Sequence, residues 1–119
     1  MKLYNFLLSK MLTYKDKIAL ANSNITYRQL IKIVEEQSKQ YKKIGNLIHT
    51  NKESKEKQAI EILSILASKN VCVPITRKYG LKQRQYVVDL INNDNNTYED
   101  LAFIMFTSGT TSTSKGVML

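Results

Sequence analysis

Leu101-Ala102-Phe103-Ile104-Met105-Phe106 leads directly into Thr107-Ser108-Gly109-Thr110-Thr111-Ser112-Thr113-Ser114-Lys115-Gly116, and Val117-Met118-Leu119 follows. An apolar run enters a loop of small hydroxyl residues, two glycines and one lysine, and a second apolar run leaves it. Glycine lets a backbone approach a ligand closely. Successive N–H groups in such a turn form a concave anion site, to which Lys115 adds a full charge and the hydroxyls add neutral donors. This chemistry suits a polyphosphate. Composition alone also fits ordinary turn material. A kinase- or GTPase-type P-loop is rejected by spacing, because Ser114 precedes the lysine, Gly116 follows it, and no helical pattern comes next. The returning apolar run predicts an antiparallel hairpin, with Ala102 to Phe106 paired to a strand beginning near Gly116.

Outward from the loop, helical and extended patterns alternate. Met1 to Leu12 reads as an amphipathic helix with Leu3, Leu7 and Met11 on one face beside Leu8 and Leu12. Asn5, Ser9 and Lys10 interrupt any signal-peptide core. Ile18 to Ala21 predicts a strand, closed by the turn Asn22-Ser23-Asn24. Thr26 and Gln29 have capping-box spacing, and Leu30, Val34, Gln37, Tyr41 and Ile44 share one face of a helix that Gly45 would end. Leu47-Ile48 suggests a short strand. A helix from Glu53 to Lys69 would turn Ala59, Ile60, Leu63, Leu66 and Ala67 inward. Val71-Cys72-Val73-Pro74-Ile75 reads as a buried strand ended by the only proline. Leu81 to Ile91 predicts a helix, broken by Asn92-Asn93-Asp94-Asn95-Asn96. The order implies an α/β layered fold with some parallel pairing.

Composition narrows the function classes. The 119 residues suffice for one domain with a modest core, at 43% hydrophobic and 24% charged. The net charge of +8 comes mainly from lysines dispersed among glutamates. Clustered arginines and aromatic platforms are missing, so a basic structural or nucleic-acid-associated protein is a poor fit. No apolar run reaches the roughly 20 residues that span a bilayer. The single cysteine, Cys72, lies between Val71 and Val73 as a small hydrophobe and fits a reducing cytoplasm. His49 lacks acidic or thiol partners at ligand spacing, so no metal site is expected from this chain.

Thr107 to Val117 resembles the phosphate-binding signature of the adenylate-forming ligases, the AMP-binding superfamily of acyl-CoA synthetases, amino-acid adenylation domains and luciferases. Thr107, Ser108, Gly109, Thr110, Thr111, Lys115, Gly116 and Val117 match it in register. Ser112 stands where the family has glycine and Ser114 where it has proline. Ile25-Thr26-Tyr27-Arg28-Gln29-Leu30 is similar to the family's opening strand and helix start, and Ile62 through Ile75 to its helix leading into a Val-Pro strand. Asn70 replaces a usual glycine, and the stretch between Ile91 and Leu101 is too short for the strand the family has there.

The resemblance implies a partial N-terminal subdomain with helices layered on a mixed sheet, residues 1–119 being the incomplete N-terminal portion of an adenylation domain. It implies a reaction of ATP with a carboxylic acid, giving an acyl-adenylate and pyrophosphate, before transfer to coenzyme A or a phosphopantetheine carrier. Thr107, Ser108, Gly109, Thr110, Thr111, Lys115 and Gly116 would hold the ATP phosphates, and magnesium is expected for the complete enzyme. No nucleic acid or membrane partner is implied. The motifs that serve adenine, ribose, magnesium and the catalytic lysine would follow the loop, so this piece alone is expected not to complete adenylation. A non-catalytic phosphate- or nucleotide-binding module is the alternative. Nothing here identifies the acid.

Overall fold

The computed structural model describes residues 2–75, 80–99, 101–107 and 115–118. Their elements run α1 (Lys2–Thr13), β1 (Ile18–Leu20), β2 (Ile25–Thr26), α2 (Tyr27–Ser38), β3 (Leu47–His49), α3 (Lys55–Ala67), β4 (Val71–Val73), α4 (Leu81–Asn92), β5 (Ile104–Thr107) and β6 (Lys115–Met118).

β4 is the keel of the molecule. It pairs in parallel with β3, Ile48 opposite Cys72, and its other side makes a parallel bridge from Cys72 to Phe103 at the entrance to β5. β5 then turns back antiparallel to β6, so the strands form a mixed arrangement. Neighbouring strand residues point to opposite faces, and the core divides accordingly. Cys72, Ile48 and Phe103 join the α1, α2 and α3 cluster with Leu30, Val34, Ile65 and Leu66. Val71, Val73, Ile104 and Phe106 meet Val87 of α4 on the other side. Helices therefore cover both faces, as the α/β reading required.

Local chemistry explains where α2 and α3 begin. Thr26 caps α2 by accepting from Gln29 N–H at 3.2 Å, and Gln29 Oε1 accepts in return from Thr26 N–H at 2.9 Å, which completes the capping box. Ser54 caps α3 by accepting from Lys57 N–H. The turn between β1 and β2 is tied to the first turn of α3, where the Glu56 carboxylate accepts from Asn22 N–H and Ser23 Oγ–H.

Two expectations need correction. α2 ends at Ser38 rather than at Gly45. The Ser38 hydroxyl donates to Glu35 O at 2.7 Å, competing with continued helix as such hydroxyls do, and Ile44 is left 64% exposed. Gly45 instead forms a junction at φ +74°. Its N–H donates to Lys69 O and its carbonyl accepts from Tyr98 N–H, both at 2.8 Å. On α1 Leu3, Leu7, Leu8 and Met11 face the core as expected, joined by Tyr4, while Leu12 is exposed. On α3 Leu66 is buried and Ile60, Leu63 and Ala67 pack against the core as expected, and the buried face is wider than expected, taking in Glu61, Ser64 and Ile65, because α3 is covered by the sheet below and by α1 and α2 beside it.

Asn70 shows how the chain accommodates its departure from glycine. α3 closes with Asn70 N–H donating to Ile65 O and Lys69 N–H to Leu66 O, the paired bonds of a Schellman ending. The left-handed residue is Lys69, at φ 63°. Asn70 is thus free of that backbone demand, and its side chain is fully buried. It accepts from Asn46 N–H at 3.0 Å and donates to Lys43 O at 2.9 Å and Ser68 Oγ at 2.8 Å.

Candidate functional site

The strands that flank the hydroxyl loop are in defined register. Thr107 lies opposite Lys115, Phe106 opposite Gly116, Met105 opposite Val117 and Ile104 opposite Met118. The predicted hairpin is therefore present, with its strands beginning two residues later and one residue earlier than expected. Ser108, Gly109, Thr110 and Thr111 lie outside the described residues. Of the predicted site residues, the structure brings the backbones of Thr107, Lys115 and Gly116 together at the mouth of the hairpin.

The root of that hairpin is held firmly. Cys72 N–H donates to Ala102 O at 2.8 Å, and Ile104 is buried against Val71, Val73 and Val87. β3, β4 and the start of β5 run in parallel, so their carboxyl ends emerge on one side, where ligands of open α/β sheets bind. At that side the buried Thr50 hydroxyl binds both main-chain groups of Ile75. It accepts from Ile75 N–H at 2.8 Å and donates to Ile75 O at 3.3 Å. Gln58 Nε2 donates to the same carbonyl at 3.2 Å.

Sequence reading missed Thr50, Gln58 and Glu61. Glu61 accepts from Asn51 N–H at 2.9 Å and Lys52 N–H at 3.2 Å, shaping the loop after β3. None of the three belongs to a motif. Each is a polar residue satisfied by main-chain groups distant in sequence.

Burial, reinforced by the Glu61 charge, pushes the Cys72 thiol up to about 12, which makes it a poor nucleophile. Hydrogen bonds from the Tyr98 hydroxyl and Asn96 N–H hold the Asp94 carboxyl below its usual range, and Tyr98 is raised chiefly by the same bond. Among the described residues no group of three His, Cys, Asp or Glu side chains could hold a metal ion. Residues 101–119 contain no acidic residue, so this hairpin brings no carboxylate of its own to a magnesium ion.

Helices on both faces of a mixed sheet, with β5 beside β4 leading into the hydroxyl-rich stretch of the sequence, define an α/β subdomain. The family model described as AMP-binding enzyme matches residues 31–119, and the chain belongs to that family. No curated protein matches the sequence. Among solved structures, the N-terminal subdomain of Klebsiella oxytoca NpsA with 3-hydroxyanthranilyl-AMSN is similar at TM-score 0.72 and 19% identity, over 93% of this chain and 38% of that one. Holo-PA1221, an NRPS protein containing adenylation and PCP domains and bound to a vinylsulfonamide inhibitor, gives 0.73 and 17%, over 97% and 27%. The inhibitor-bound N-terminal domain of FACL13 from Mycobacterium tuberculosis gives 0.72 and 14%, over 98% and 44%. Likeness at these identities establishes the fold. The chain spans well under two thirds of each of these structures. No helix among the described residues is long and apolar enough to cross a membrane.

Proposed function

We propose that this chain is the N-terminal part of an ATP-dependent ligase that activates a carboxylic acid as its acyl-adenylate. In this reading Thr107, Ser108, Gly109, Thr110, Thr111, Lys115 and Gly116 hold the β- and γ-phosphates of ATP. The observation that carries it is the pairing of Thr107 with Lys115 across the hairpin mouth, which places the only cation of the motif directly opposite its first hydroxyl residue along the chain. Loop N–H and hydroxyl donors with one ammonium would orient the departing pyrophosphate and offset its growing charge, a contribution of position and electrostatics. Magnesium, where it assists, would be held by groups outside residues 101–119. Coenzyme A or a phosphopantetheine carrier would take the acyl group, and the reducing cytoplasm is the compartment that suits the single free thiol. The PCP domain in the PA1221 structure supports the carrier as one such acceptor.

ATP binding by the chain and by Lys115→Ala at low salt tests this reading. Loss of about 1 to 3 kcal/mol in the variant is expected for one charge-assisted contact. Equal binding that falls steeply with salt would instead assign the attraction to the dispersed lysines. Joining the chain to the remainder of an adenylation domain should give acid-dependent pyrophosphate exchange. ATP binding through Lys115 without that exchange would make the chain a non-catalytic phosphate-binding module. Exchange by the isolated chain would refute its incompleteness.

A further inference from the structure

The outer edge of β3 is open. In a parallel ladder, alternate residues of a strand bond to one neighbour and the intervening ones face the other way. Val71 N–H donates to Asn46 O at 2.8 Å and Thr50 N–H to Val73 O at 3.1 Å. Residues 46, 48 and 50 therefore face β4, and the N–H and C=O groups of Leu47 and His49 turn outward. Among the described residues no strand pairs with that edge.

A groove of about 680 Å³ follows the edge, lined by Tyr41, Leu47, His49, Glu61 and Ile91 among others. Its two walls belong to different layers. Tyr41 and Ile48 pack with the α2–α3 cluster, and Leu47 and Ile91 with the α4 cluster. Glu61 is only 7% exposed, yet just one of its oxygens is used. Oε1 accepts from Asn51 and Lys52, whereas Oε2 has no partner among the described residues and is not sealed from the groove. Glu36 also lines the groove, but its carboxylate is paired with the Lys39 ammonium at 3.2 Å. Glu61 is therefore the lining carboxylate with no ammonium within ion-pair distance among the described residues.

We propose that this edge docks an extended polypeptide segment, which adds as a strand beside β3 and sets a basic side chain against Glu61. Main-chain pairing with Leu47 and His49 would supply the strand's hydrogen bonds, and alternate side chains would supply selectivity. Residues of the added strand that face α4 meet Leu47 and Ile91, so they should be apolar. Those that face α3 meet Ile48, Tyr41 and the Glu61 carboxylate, where a lysine can lay its stem on the ring and its ammonium on Oε2. The proposal does not depend on the phosphate loop.

The test titrates the chain with acetyl-Val-Lys-Val-amide and with its norleucine counterpart, which keeps the stem and drops the charge. Amide NMR shifts report the binding. The lysine peptide should bind about tenfold tighter, the scale of one charge-assisted contact, and should shift and protect the amides of Leu47 and His49 more than those of Ile48 and Thr50. Glu61→Gln should abolish the preference, because its amide oxygen still accepts from Asn51 and Lys52 while the charge is gone. Lys52→Ala, which leaves Glu61 in place, should tighten the lysine peptide. Equal binding of the two peptides, a preference that survives Glu61→Gln, or binding that bypasses Leu47 and His49 would overturn the proposal. So would concentration-dependent protection of these amides without peptide, which would assign the edge to a second copy of the chain.

Discussion

The three-helix side of the sheet and the β5–β6 hairpin are built on different terms. On the helical side, Val34, Ile65 and Cys72 are fully buried, and helix ends are closed by Thr26, Ser54 and the Lys69–Asn70 turn. The hairpin is attached to β4 through the Cys72–Phe103 bridge and the bond to Ala102, and Met105 on β5 is 44% exposed. On the opposite layer, α4 buries Val87 while Leu81 and Leu90 face solvent. Stability is thus concentrated beneath the candidate loop rather than around it. A ligand loop can then be altered without loosening the platform that carries it.

The sharpest test of this contrast is a matched pair of truncations. Ile65→Ala removes a fully buried side chain and should cost about 2 to 5 kcal/mol in denaturant unfolding. Met105→Ala should cost less than about 1 kcal/mol, since much of its surface already meets solvent. Similar costs would erase the distinction between the two regions. Gly45→Ala should follow at about 2 to 3 kcal/mol, because a Cβ there lies 2.6 Å from Thr97 Cγ2 and 2.8 Å from Tyr98 O at a positive φ. Hydrogen exchange should quicken at Tyr98 more than at Ile65, locating the damage at the junction that leads into β5. Thr26→Ala should remove about 1 kcal/mol, and restoring it with serine should recover most of the loss. The smallest effect runs the other way. Lys69→Gly should gain about 0.5 to 1 kcal/mol by relieving the left-handed conformation, and a loss would mean that the lysine side chain contributes more to the turn than its backbone costs.

The sequence was most legible where chemistry is local. Thr26 and Gln29 announce the start of α2 because both partners of the capping box lie within one turn. The apolar runs around the hydroxyl loop announce an antiparallel pair because reversal is built into so short a connection. The end of α2 was misread because Gly45 looks like a helix stop in sequence. Its positive φ instead serves contacts with Lys69 and Tyr98, which only the assembled fold brings near. Glu61 and Asn70 were illegible for the same reason. Polar side chains normally read as surface, and here distant main-chain donors and acceptors make their burial tolerable. The register at the loop mouth follows from the strand pairing, whereas the role proposed for Ser108 to Thr111 rests on the motif.

The pairing of Thr107 with Lys115 has one more consequence, for the entropy of the loop. Bringing the two ends of a flexible segment together is unfavourable, and that cost rises only slowly with segment length. Here the flanking strands meet it during folding, through register set by residues 104–107 and 115–118. In the proposed role, a phosphate would meet a segment whose two ends are already in register. Ser112 and Ser114, the two departures from the family pattern, both fall inside that closed ring. In the proposed role, changes of residue or length there would retune how tightly an anion is held while leaving the strand register untouched.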